Sequence, residues 1–157
     1  MIKLFEQFNN EQEIHDICKK YKIKNYTINP DGSVDVNSNV DLSDMNLTEL
    51  PLKFNKVSGY FDCGNNQLTT LEGCPKEVGG GFYCYGNQLT SLEGCPEIIG
   101  GLFDCHKNKL TNLVGCPKEV GGFYCYGNQL TSLEGSPMII DGCLELIDNP
   151  ISIIDSS

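Results

Sequence analysis

Basic residues are scarce in this chain: 11 Lys+Arg stand against 21 Asp+Glu, giving a formal net charge of -10. That balance repels phosphate backbones and anionic lipid, so neither nucleic acid nor a membrane surface is expected as a partner. A basic partner is favoured at long range. Long apolar runs are missing too, and nothing approaches the length of a membrane-spanning helix. The opening MIKLFEQFNNEQEI lacks the apolar stretch of a secretion signal. No C-x-x-C pair occurs, although there are nine cysteines. The G-x-S-x-G elbow, the phosphate-binding glycine loop and the calcium-binding repeats are also absent, so no catalytic constellation is expected.

The cysteine count is odd and no leader is visible, so the thiols are expected to be reduced and the chain cytoplasmic. The sequons at Asn25 and Asn46 then read as chance matches. From Cys63 to Cys125 the cysteines are spaced 11, 10, 11, 10, 11 and 9 residues apart, whereas zinc sites pair close ligands. No metal or other cofactor is expected, and the cysteines read as small buried hydrophobes.

What the 157 residues do contain is a repeat. GFYCYGNQLTSLEGCPEIIGG recurs as LFDCHKNKLTNLVGCPKEVGG and as FYCYGNQLTSLEGSPMII. Val57, Val78, Ile99, Val120 and Ile140 open successive units. Phe61, Phe82, Phe103, Phe123 and Leu144 follow, then Cys63, Cys84, Cys105, Cys125 and Leu146. Asn66, Asn87, Asn108, Asn128 and Asn149 come next, then Leu68, Leu89, Leu110, Leu130 and Ile151. The period is 21 residues, with one unit of 20. Val36, Val40, Leu42 and Leu47 form a divergent first unit, with Met45 at the asparagine place.

A strand this short cannot bury its apolar face alone. Stacking coil on coil about 4.8 Å apart does so. The asparagine stands where the chain leaves the strand, positioned to bond backbone groups that would otherwise be buried and unpaired. Gly79-Gly80, Gly100-Gly101 and Gly121-Gly122 mark a bend, and the Cys-Pro pairs start an extended return segment.

The pattern resembles the leucine-rich repeat, L-x-x-L-x-L-x-x-N-x-L: Val120, Phe123, Cys125, Asn128 and Leu130 fit it, with cysteine in a leucine place. The short period and the trailing L-T-S-L-x-x-x-P resemble the bacterial effector subclass of the YopM and IpaH type. The Cys-rich, Gly-Gly form is still more similar to small repeat proteins of tailed phages and bacteria. The resemblance implies a solenoid with a parallel sheet on its concave side and an extended, irregular convex side. Repeats of the ligase type precede a separate catalytic domain; this chain closes at Ser157, and that activity is not expected.

Six units are read over 36–157 and a cap over 1–35. In the cap, Asn10 and Glu13 form a capping box, and Ile14, Ile17, Cys18 and Tyr21 make a helical stripe from about Glu11 to Lys20. Tyr26–Ile28, a turn at Asn29–Gly32 and Val34–Val36 then read as a hairpin. At the other end, Ile147 and Ile153 fall outside the core columns. Either the tail folds back over the last coil, or two chains meet end to end as a homodimer.

The outward strand positions carry the candidate site. One column holds Asp41, Asp62, Tyr83, Asp104, Tyr124 and Glu145; the next holds Ser43, Gly64, Tyr85, His106, Tyr126 and Ile147. Four tyrosines thus flank Asp104, His106 and Lys107. Tyrosine suits binding surfaces, and equally any exposed strand. A Cys105–His106 dyad fails, because strand neighbours point to opposite faces. The expected function is non-catalytic recognition of a protein, which the phage resemblance would make a host or defence component. The alternatives are sequestration of a small molecule or nucleotide by the tyrosines, and an enzyme of unrecognised chemistry.

Overall fold

A computed structural model describes residues 11–152. Asn10 and Ile153, and with them the capping box and half of the proposed self-association pair, lie outside the described residues. Helix α1 (Glu11–Lys20) has Glu11 and Glu13 in its first turn and Lys19 and Lys20 in its last, both favourable to the helix dipole. It buries Ile14 and Cys18, with Ile17 and Tyr21 packed beside them. The hairpin follows as expected: β1 (Tyr26–Ile28) pairs antiparallel with β2 (Val34–Val36).

Beyond the hairpin the chain is a parallel-strand solenoid. β3 (Val40–Asp41), β5 (Phe61–Asp62), β7 (Phe82–Tyr83), β9 (Leu102–Asp104), β11 (Gly122–Tyr124) and β13 (Leu144–Glu145) stack in register as a six-stranded sheet, so the chain turns five times between its first and last rungs. The return side, expected to be extended or irregular, is extended and in part paired. β2, β4 (Phe54–Val57), β6 (Glu77–Val78) and β8 (Ile98–Ile99) form a second parallel ladder, and β10 (Glu119–Val120) and β12 (Ile139–Ile140) pair likewise. Each coil therefore gives two short strands, one on either side of a corner that carries glycine in every coil after the first. The constant period brings the Glu-Val and Ile-Ile pairs into register just as it does the Phe-x-Cys segments.

The second ladder is interrupted once, between β8 and β10. The 20-residue unit explains it. Gly121-Gly122 links Val120 to Phe123, where Gly79-Gly80-Gly81 links Val78 to Phe82. In full-length corners the first residue donates to the preceding coil: Gly79 N to Val57 O and Gly100 N to Val78 O, each 2.9 Å. Gly121 N skips that rung and donates to Gly101 O at 2.9 Å. A cleft of about 680 Å³ opens over the break, lined by Ile98, Ile99, Pro117 and Glu119 among others.

The core runs unbroken from Ile14 to Leu130. Phe61, Phe82, Phe103 and Phe123 are fully buried, with successive ring centroids 5.9, 5.7 and 5.3 Å apart. Each such burial stabilises the fold by roughly 1.5–3 kcal/mol. The asparagines bond from coil to coil. Asn108 Oδ1 accepts from Leu89 N (3.0 Å), and its Nδ2 donates to Cys84 O (3.0 Å) and Cys105 O (3.1 Å). All nine cysteines are free; Cys63, Cys84, Cys105 and Cys125 are buried and Cys143 is exposed. No helix among the described residues is long and apolar enough to cross a membrane.

Candidate functional site: an aromatic and acidic sheet face

Alternation along each strand sends Phe and Cys inward and leaves the intervening residues on the outer face of the six-stranded sheet. The register sets Asp62 beside Tyr83, Tyr83 beside Asp104, Asp104 beside Tyr124 and Tyr124 beside Glu145. Carboxylate and phenol thus alternate rung by rung.

In the neighbouring column Tyr85, His106 and Tyr126 form a three-ring stack. Tyr85 and His106 have centroids 5.0 Å apart and are inclined by 2°; His106 and Tyr126 are 4.3 Å apart and inclined by 12°. Below the stack lies Gly64. A Cβ placed there would come within 2.5 Å of the Tyr85 ring, so the absent side chain is what lets that ring lie down on the sheet. At the centre His106 Nδ1 meets Asp104 Oδ1 at 2.5 Å, and the same oxygen accepts from His106 N at 3.2 Å. Asp104 is only 7% exposed.

The structure brings together Asp62, Tyr83, Tyr85, Asp104, His106, Tyr124 and Tyr126. Lys107 follows at the strand's end, its N–H donating to Tyr126 O at 2.9 Å. It is exposed and occupies the left-handed turn beyond the strand, with φ 52°, in the column of Asp44, Asn65, Gly86, Gly127 and Asp148. Ile147, 68% exposed, continues the column of Tyr126 on this same face, in the coil of the edge strand β13. Tyr60 escaped the sequence reading. Its ring meets Tyr83 edge-on at 6.2 Å, and alternation one residue before Phe61 would have found it.

The face is electrostatically negative. Burial pushes the Asp62 carboxyl up, against a hydrogen bond from Gly64 N, and Asp41, Asp44 and Asp104 add to the rise. The Tyr83 and Tyr85 phenols are raised by burial and then by Asp62, among other carboxylates, and Tyr126 by burial and then Asp104. Tyr124 is raised chiefly by Cys143, then by slight desolvation and Glu145. All four phenols are therefore neutral hydrogen-bonding groups at neutral pH. Among the described residues no group of three or more His, Cys, Asp and Glu side chains is placed to hold a metal ion. Among the described residues no serine or cysteine side chain hydrogen-bonds to the Asp104–His106 pair. No protein-family model, curated protein or solved structure matches the chain.

Proposed function

We propose that this chain is a non-catalytic binding module of the leucine-rich-repeat type, which recognises a partner protein through the outer face of the six-stranded sheet. The observation that supports this most is the ordered aromatic surface: the Tyr85–His106–Tyr126 stack beside the Tyr83 and Tyr124 row. Stacked and partly buried rings are stiff, so binding them costs little side-chain entropy. The likeness of the Cys-rich repeat to small phage and bacterial proteins makes a host or defence protein, met in the cytoplasm, the first partner to try. Nucleic acid and membrane remain disfavoured by the charge of -10.

The face suits a planar small molecule less well. The three rings already fill one another's faces, so within the stack there is no gap for a base to enter. The cleft over the ladder break has a volume typical of ligand sites, and it favours the small-molecule reading on the opposite sheet. Capture of partners from a lysate of the encoding organism separates these readings. The Tyr85→Ala, Tyr126→Ala variant should lose the partner, by on the order of 2 kcal/mol or more per hot spot. Loss on Lys76→Ala, Lys118→Ala instead would move the functional surface to the return segments.

A further inference from the structure

We propose that the sheet face takes a cationic polypeptide segment, whose arginine or lysine side chains seat against Asp62 beside the Tyr83 ring and against Glu145 beside the Tyr124 ring. This rests on the reading of that face as the binding surface, and it names the chemistry of the partner.

Three observations carry it. The first is the alternation itself. With rungs about 4.8 Å apart, Asp62, Asp104 and Glu145 recur about every 10 Å with a tyrosine between each pair. A cation drawn to one carboxylate therefore arrives beside aromatic faces, which attract it further through their quadrupoles. A guanidinium suits this surface best, because it is planar, weakly hydrated and able both to fork onto a carboxylate and to stack on a ring.

The second observation is that the chain does not neutralise these carboxylates itself. Among the described residues the lysine ion pairs are Lys53–Asp31, at the β1–β2 turn, and Lys56–Glu77, on the other ladder. Asp104 is taken up by His106. Asp62 has one oxygen bonded to Gly64 N, and among the described residues the Glu145 carboxylate has no hydrogen-bond or ion-pair partner. The third is the cost already present in the free protein. Burial and the neighbouring carboxylates disfavour the charged form of Asp62, and an arriving cation would relieve that opposition.

The test uses the intact protein and fluorescein-labelled octa-arginine, octa-lysine and octa-glutamate, with anisotropy as the readout at about 0.15 M ionic strength, where screening is strong. Octa-arginine should bind more tightly than octa-lysine, and octa-glutamate should not bind. Asp62→Asn with Glu145→Gln should weaken octa-arginine by about tenfold or more. Glu97→Gln with Glu119→Gln removes the same charge from the other ladder and should change affinity by less than about twofold. Tyr124→Ala should weaken binding with both face carboxylates intact, and thermal melts confirm that each variant folds. Absence of octa-arginine binding, or equal losses from the two carboxylate pairs, overturns the proposal. If octa-arginine fails while Tyr85→Ala, Tyr126→Ala still abolishes partner capture, the cation falls and the binding face stands. If the tyrosine variant also has no effect, the face itself is wrong.

Discussion

Asn108 shows 7% of its surface yet bonds to two coils at once. Removing its amide leaves Leu89 N and the carbonyls of Cys84 and Cys105 without these partners in a site water cannot enter. Asn112 differs: it is exposed and serves only Val114 N, which water can replace. Asn108→Ala should therefore destabilise the protein by roughly 1–3 kcal/mol more than Asn112→Ala in urea titrations. Equal losses would mean that the ladder bonds contribute nothing net. Asp62 works in the opposite direction. Its carboxyl titrates higher in the folded chain than in the unfolded one, so the folded state disfavours the anion. That penalty holds above the folded value, shrinks as pH falls through it and is gone below the ordinary carboxylate value. Asp62→Asn keeps an acceptor for Gly64 N and should raise stability at pH 7, with the gain shrinking on acidification. A gain independent of pH would remove charge as its cause.

At the scale of the element, the cysteines separate into two behaviours. Burial pushes the Cys84 and Cys105 thiols well above their ordinary range and Cys125 up to about 12, so their thiolates are scarce as well as inaccessible. Cys143 is exposed. A thiol reagent without denaturant should modify Cys143 first and the ladder cysteines only on unfolding. Prompt reaction of Cys84 or Cys105 would contradict their burial. The ladders themselves were legible in the sequence, because the 21-residue columns of Phe, Cys, Asn and Leu each demand an inward place in a stacked coil. Of the second sheet only the β1–β2 hairpin was legible. Its other strands are mostly two residues long, too short for an alternation to register against the return segment that precedes them. The tyrosines were legible as outward residues. Their stacking was not, since it depends on Gly64 leaving room for Tyr85 and on His106 being held by Asp104. The left-handed turn at Lys107 was not legible, because nothing in its side chain announces one. Only the glycines, asparagine and aspartates of its column give that signal.

For the whole molecule, the residue missing from the corner at Gly121-Gly122 has a consequence for how the solenoid comes apart. In a stacked array each coil is stabilised mainly by its neighbours, and unfolding proceeds from an end until it meets a weak joint. Between the coils of β8 and β10 one of the two ladders lacks its rungs, while β9 and β11 remain paired on the other. The coils bearing β11 to β13 are thus tied to the rest by one sheet, the phenylalanine stack, the Asn128 bonds and the backbone bonds Gly121 N to Gly101 O, Leu113 N to Glu134 O and Gln129 N to Leu110 O. Native-state amide exchange should resolve this as two cooperative blocks. The amides of β12 and β13 should open together, at a free energy below that of β5, β7 and β9. Insertion of a glycine between Gly121 and Gly122 should restore the rung and merge the two blocks into one. If all the strands already exchange at a single global free energy, the joint is no weaker than the others. If they do not, the end of the sheet that carries Tyr126 and Glu145 opens and recloses as a unit while the remaining coils stay folded.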